Sequence, residues 1–396
     1  MIEYAGSRVP TRAHGYEPAD VLALVRRLDW ILLAAIGALV AYGLWAISGV
    51  TRHDVAGDPE FYVVRQALFA AIGGVGFLVA ALVDPGLYRR FKTPMFVVIV
   101  GLMLLVFLAG TAVRGSTRWI DLGFYRFQPS EFGKLLLVLV LAAFLADRGK
   151  RVGEWSTVLR AVTLAALPAV LVFAQPDFGT ALVYGAVLGA VLFVAGARWL
   201  HLAALGTVAA FTAVSLVWLL PAVGADVLED YQRDRLTAFL HPEADIQGTS
   251  YNVNQSIVAV GAGGWSGRGV AGASQTNLEY LPEHATDFVF ASVAEQRGFV
   301  GAAILLLLYL LVLWRGIRIV SLARDSFSAI AAGGIVVALA FQIFINVGMT
   351  MGIAPITGIP LPFVSVGGSS MVTNLLAMGM LQAIHMRGRE RRHVAA

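Results

Sequence analysis

The chain has 396 residues, of which 58% are hydrophobic and only 14% charged, against roughly 25% charge on a 45–50% apolar background in soluble domains. That balance excludes a water-soluble fold of this size, and the absence of cysteine excludes disulfides, zinc ribbons, iron–sulfur clusters and a thiol nucleophile. The formal net charge is +4, so whether nucleic acid is a partner turns on where the basic residues lie.

In chain order, ten apolar runs are long enough to cross a hydrocarbon core of about 30 Å. They cover residues 28–49, 63–83, 94–113, 130–146, 158–174, 179–197, 203–223, 289–314, 327–352 and 367–386. Forty-two glycines suit the close backbone approach of membrane helices. The segment before the first run is basic, but that run is long and lacks a small-residue cleavage site, which predicts a retained first helix. The excess of Lys and Arg should fall in alternate connections. One alternate set carries nineteen of the 29, while the intervening short loops hold only Arg52, Arg114, Arg118 and Arg126. Both termini are therefore expected in the cytoplasm. This topology, with contact to anionic membrane lipid, accounts for the basic charge and leaves no nucleic acid as partner.

The expected organisation is a cytoplasmic N-terminal segment, 1–27, an all-α ten-helix domain, 28–386, and a basic cytoplasmic tail, 387–396. One connection is long: residues 224–288, between the seventh and eighth spans on the extracytoplasmic side, and a loop of that length is usually functional. No repeat of fixed period appears, which removes sequence support for an inverted-repeat transporter.

Ionisable groups near the hydrocarbon are costly and mark function by default. In chain order, Arg114, Arg118 and Arg126 stand beside Trp119 on the side where topology disfavours them. Interfacial anchoring explains the tryptophan; phosphate binding explains the arginines better. Glu131 and Lys134 have the i, i+3 spacing of a pair on one helical face, which serves either a helix staple or a site. Asp177 opens the sixth span, where an acid either caps the helix or acts in the site. The long loop brings Arg233, Arg235, Asn254, Gln255, Ser256 and Arg268. Residues 267–272 spell the dinucleotide glycine fingerprint, but no βαβ unit precedes them, so they read as a glycine turn between short helices.

Asp287 stands where a polar loop turns into the apolar eighth span. Partial desolvation there suits a general base, and the alternative is an N-cap. Glu295 and Arg297 lie deeper in that span, with site and charge-neutralising roles both open. Three prolines and repeated glycines in 355–370, with Asn346 and Ser369 nearby, break any helix and point to a cavity lining. The seven histidines show no zinc spacing.

Taken in order, residues 115–119, 128–134, 175–180, 231–235, 254–256, 281–288 and 359–370 resemble the SEDS family (shape, elongation, division and sporulation) almost along the whole chain. Residues 239–245, 251–256 and 275–277 resemble the RodA elongation branch more than the FtsW division branch. The resemblance implies a ten-helix peptidoglycan glycosyltransferase with an outward cavity. It would polymerise lipid II, a disaccharide-pentapeptide on undecaprenyl diphosphate. By motif, Asp287 matches the family's essential acid and would deprotonate the acceptor hydroxyl as that oxygen displaces undecaprenyl diphosphate with inversion. Arg118, Arg233 and Arg235 would hold the diphosphate, with Trp119, Gln255, Ser256 and Ser369 also at the substrate. Glu131, Lys134 and Asp177 would shape the cavity. A divalent cation, Mg or Mn, at the diphosphate is a further expectation with no legible ligand set. The family also implies a class B penicillin-binding protein, a transpeptidase, as partner.

The chain departs from the family pattern at three places. The histidine of Pro282-Glu283-His284-Ala285-Thr286-Asp287 stands one position early, Gln296 replaces a common acid, and Val366 replaces a common aromatic. Two other activities compete with polymerisation. A lipid II flippase would need polar stations on both sides of the midplane, whereas the acids gather outside; a scaffold would need no desolvated Asp287.

Overall fold

The structure is a computed structural model that describes residues 26–113, 116–123, 125–222 and 249–395. The helices are α1 Trp30–Val50, α2 Phe61–Leu82, α3 Pro85–Arg90, α4 Lys92–Ala109, α5 Pro129–Arg148, α6 Trp155–Phe173, α7 Phe178–Val194 and α8 Trp199–Val214. A π turn at Ser215–Leu219 carries α8 on through Leu220–Ala222. Three short helices follow, α9 Thr249–Gly263, α10 Gly269–Gly272 and α11 Ser274–Asn277, and then the long α12 Val289–Leu322, α13 Ser326–Thr350 and α14 Gly368–Ala395.

Among the described residues, eight of these helices are long and apolar enough to cross a membrane. The shorter apolar α7 and the 28-residue α14 bring the number to the ten that the hydropathy runs predict. Starts are set by capping chemistry. Asp29 Oδ1 accepts from Leu32 N at 3.1 Å, Asp325 Oδ1 accepts from Ser328 N at 3.0 Å, and α5 opens on Pro129, whose missing N–H costs nothing in a first turn.

Burial separates centre from rim. In the most apolar stretch, 78% of α5 and 72% of α13 is buried, against 22% of α2, 17% of α4 and none of α8. The rim helices therefore turn Val, Leu, Phe and Trp side chains outward, as a lipid solvent requires. Small residues let central helices touch. A Cβ on Gly379 of α14 would lie 2.3 Å from the Phe77 carbonyl oxygen of α2, so only glycine permits that contact. At one end, the buried Asp29 of α1 pairs with Arg315 of α12 at 2.6 Å, and a cavity of about 550 Å³ opens beside them.

Two features depart from a plain bundle. Strands β1 Thr111–Val113, β2 Ser116–Asp121 and β3 Arg126–Phe127 form a small antiparallel sheet in which Thr111 faces Trp119 and Ile120 faces Phe127. Helix α12 breaks at Gly298, where φ is +66° and an added Cβ would meet Gly267 N at 2.3 Å. The turn around Gly267 packs there, between α9 and α10, and fits the glycine-turn reading rather than a dinucleotide loop.

Candidate active site

Among the described residues, Arg118, Glu131, Lys134, Asp177 and Ser369 meet at one end of the bundle. Pro129 sets α5 so that Glu131 and Lys134 share its buried face, where they pair at 2.8 Å with side-chain exposures of only 2% and 5%. Asp177 caps α7 by accepting from Thr180 N at 3.2 Å through Oδ1. Its Oδ2 accepts from Ser130 Oγ at 3.0 Å and Gln128 Nε2 at 3.1 Å. Strand β2 delivers Arg118, whose Nη1 lies 3.5 Å from Asp177 Oδ1 while its guanidinium covers the Trp119 ring at 4.5 Å. Arg118 Nε is buried with no protein acceptor. Asp177 thus caps a helix and anchors an arginine at once.

Ser369, at the head of α14, ties this cluster to the last loop. Its Oγ accepts from Gln128 N at 2.9 Å and lies 2.6 Å from the Tyr125 hydroxyl. The loop itself is packed beneath protein. Ile356, Ile359, Leu361, Phe363, Val364 and Ser365 are buried, and their backbone is satisfied by side chains, as membrane depth demands. Gln66 donates to the Ser365 carbonyl at 2.9 Å and accepts from Gly367 N at 3.1 Å, and Tyr309 donates to the Pro362 carbonyl. Phe363 adopts φ +67°, a conformation held against its own preference.

The segment 281–288 lies against that loop. Ser365 Oγ donates to the Thr286 carbonyl at 2.5 Å, Val366 N donates to Ala285 O at 3.0 Å, and Asn346 Nδ2 donates to the Asp287 carbonyl at 2.8 Å. Thr286 N and Phe288 N both donate to Glu283 O at 3.1 Å, around a Glu283 whose φ is +57°. Phe288, not Asp287, is the N-cap position of α12, and no side chain caps that helix. Asp287 is half-buried there. Its side chain is thus not spent on capping.

Helix α9 packs against the same segment, its Val253 and Ala259 sharing a small core with Leu281, Phe288 and Ile356. Gln255 is half-buried on α9, while Ser256 is fully buried and donates to the Thr350 carbonyl at 2.8 Å, so its hydroxyl joins α9 to α13. Arg114, Arg233 and Arg235 lie outside the described residues. Glu295 is buried and accepts from Gln275 N, Thr276 N and Thr276 Oγ1 at 2.7–3.0 Å, which makes it the anchor of α11. Arg297 stacks on the Trp45 ring at 3.9 Å. Gln66 and Asp54, below, escaped the sequence reading. A lone amide in the apolar second span was the available signal for Gln66; a loop acid such as Asp54 gave none. Among the described residues, no three His, Asp or Glu side chains group into a metal-ligand set.

Comparison with known proteins agrees with this architecture. A profile of the FtsW/RodA/SpoVE cell cycle proteins matches residues 25–390. Peptidoglycan glycosyltransferase MrdB of Escherichia coli K12 is 35% identical over 359 residues, which span 90% of this chain and 93% of that protein. A chain from a structure titled "Structural coordination of polymerization and crosslinking by a peptidoglycan synthase complex" superposes with a TM-score of 0.76 at 29% identity, covering 91% of this chain and 98% of that one. Rod shape determining protein RodA of Thermus thermophilus superposes with a TM-score of 0.67 at 26% identity, covering 90% and 96%.

Proposed function

The chain belongs to the FtsW/RodA/SpoVE family of cell cycle proteins, and from that premise we propose that it polymerises lipid II during cell elongation with Asp287 as general base. It is a multi-pass membrane protein and a peptidoglycan glycosyltransferase. The observation that carries the assignment of the base is local: Asp287 leads into the buried first turns of α12 on a strained, heavily hydrogen-bonded segment, and the capping position falls to its neighbour. A half-buried carboxylate at the end of a segment held this firmly suits proton abstraction.

The proposed reaction is a single displacement. The acceptor sugar hydroxyl gives its proton to an Asp287 carboxylate oxygen as the hydroxyl oxygen bonds to the anomeric carbon. The bond from that carbon to the diphosphate oxygen breaks, and undecaprenyl diphosphate leaves with the electron pair. Arg118, presented on Trp119 and steadied by Asp177, faces the developing charge on the diphosphate together with Arg233 and Arg235. Its unpartnered Nε supports that role. Trp119, Gln255, Ser256 and Ser369 border the substrate or hold the walls that do. The Glu131–Lys134 pair fixes α5. The reading also places 28–386 as the catalytic domain, both termini in the cytoplasm, and a class B penicillin-binding protein as the cross-linking partner.

Purified full-length protein incubated with lipid II, alone and with its transpeptidase partner, tests this function. Glycan strands on a gel, with release of undecaprenyl diphosphate, are expected. Movement of intact lipid II across vesicles without strands would reassign the chain to transport, and neither product would leave it a scaffold.

A further inference from the structure

His284 stands one residue early for its family's pattern, and the structure gives the displaced ring a partner from a distant part of the chain. Its Nε2 lies 3.0 Å from Asp54 Oδ1, and its Nδ1 lies 3.2 Å from the Leu281 carbonyl oxygen. Asp54 sits in the connection between α1 and α2, 230 residues away in sequence. Both ring nitrogens therefore face oxygens that only accept. A neutral imidazole has one N–H and can satisfy one of them; an imidazolium has two and satisfies both. Side-chain exposures of 12% for His284 and 18% for Asp54 keep water from substituting readily.

The pair acts on a segment that needs it. Glu283 next door is held at φ +57°, which a non-glycine residue leaves unless neighbours over-determine it. The His284 carbonyl accepts from Ser292 Oγ at 3.2 Å, so α12 grips the residue from the opposite side. Three residues on, the same segment presents Asp287. We infer that Asp54, through an imidazolium at His284, is a positioning residue for the Asp287 carboxylate. This rests on the reading of Asp287 as the base.

The charge on His284 has a sign that can be worked out. Burial lowers its pKa, and the hydrogen bond and charge of Asp54, with the Leu281 carbonyl and Glu279, more than offset this, so its pKa is raised above the usual 6.5. Glu283 and Asp287 lie along its own segment, Arg52 and His53 flank Asp54, and the last loop, 353–367, brings no ionisable side chain. A raised value means that the tether is complete below pH 6.5 and is lost as pH rises through the raised value. The polymerisation rate should thus carry an alkaline limb set by His284, opposite the acid limb of the base.

Rate against pH for the full-length protein on lipid II tests this, using wild type, Asp54→Asn, Asp54→Glu, His284→Gln and Asp287→Asn. Asp54→Asn should move the alkaline limb down by about one pH unit, the displacement a removed neighbouring charge typically produces. Asp54→Glu should restore it. His284→Gln should abolish that limb, and adding Asp54→Asn to it should change nothing further. A role in folding alone would lower the rate equally at every pH. An alkaline limb unmoved by Asp54→Asn, with Asp287→Asn inactive, would overturn this inference and leave the base in place. Wild-type rates from Asp287→Asn would instead overturn the assignment of the base. For a variant that fails to accumulate, nitrogen NMR of histidine-labelled wild type decides: a ring that keeps both nitrogens protonated above pH 6.5 is expected, and seven rings that all deprotonate at or below it would refute it.

Discussion

Asp287 and Lys134 show how differently two buried-end charges are used. Lys134 spends its charge on Glu131 at 2.8 Å, on the buried face of the first turns of α5, where neither is solvated. Removing one partner strands the other, so Lys134→Met should cost about 3–5 kcal/mol, read as a lowered unfolding midpoint in detergent. The double change with Glu131→Gln should recover much of that loss; single variants as stable as wild type would show that the pair does not shape α5. Ser256 offers a contrasting case. Its hydroxyl joins α9 to α13, so Ser256→Ala should cost about 1 kcal/mol and leave the KM for lipid II unchanged. A raised KM with unchanged stability would return Ser256 to the substrate. The identity of the acids was legible in the sequence because a charge beside an apolar run is conspicuous. A pair close in sequence, Glu131 with Lys134, was legible too; the long-range contacts were not, since Gln66, Asn346 and Asp54 reach their targets across tens to hundreds of residues.

At the scale of elements, the helices were readable because each must satisfy its own backbone in lipid over a nearly fixed length. The ten runs accordingly match helices to within a few residues, except where α12 and α14 continue beyond the apolar stretch. The three-stranded sheet was not readable. Its strands are two to six residues long, and pairing between them is decided by a neighbour rather than by local periodicity. The last loop was read as a cavity lining because glycine and proline announce broken helix; the side chains that pack over it, such as Gln66 and Tyr309, carry no such signal. Contact between α2 and α14 depends on Gly379. Gly379→Val should drive those helices apart, at about 1–3 kcal/mol of overpacking, seen as a lower unfolding midpoint. An unchanged midpoint would mean that the two helices are not packed as described.

For the molecule as a whole, Arg118, Glu131, Asp177 and Asp287 collect at one end, and the buried Asp29–Arg315 pair closes the other. This asymmetry suits an enzyme whose lipid-linked substrate approaches from one leaflet. Orientation can be read directly because the chain has no cysteine. Gly57→Cys, in an exposed connection next to α2, should react with an impermeant maleimide in intact cells, and Lys150→Cys should react only after lysis. The reverse would turn the site toward the cytoplasm and defeat the proposed substrate side. The central claim is tested most directly by single-turnover polymerisation of lipid II by wild type and Asp287→Asn, each shown to be folded and to bind the transpeptidase. Loss of a general base predicts a rate lower by about 10²–10⁴-fold with substrate binding retained, whereas strand synthesis at the wild-type rate would contradict the account.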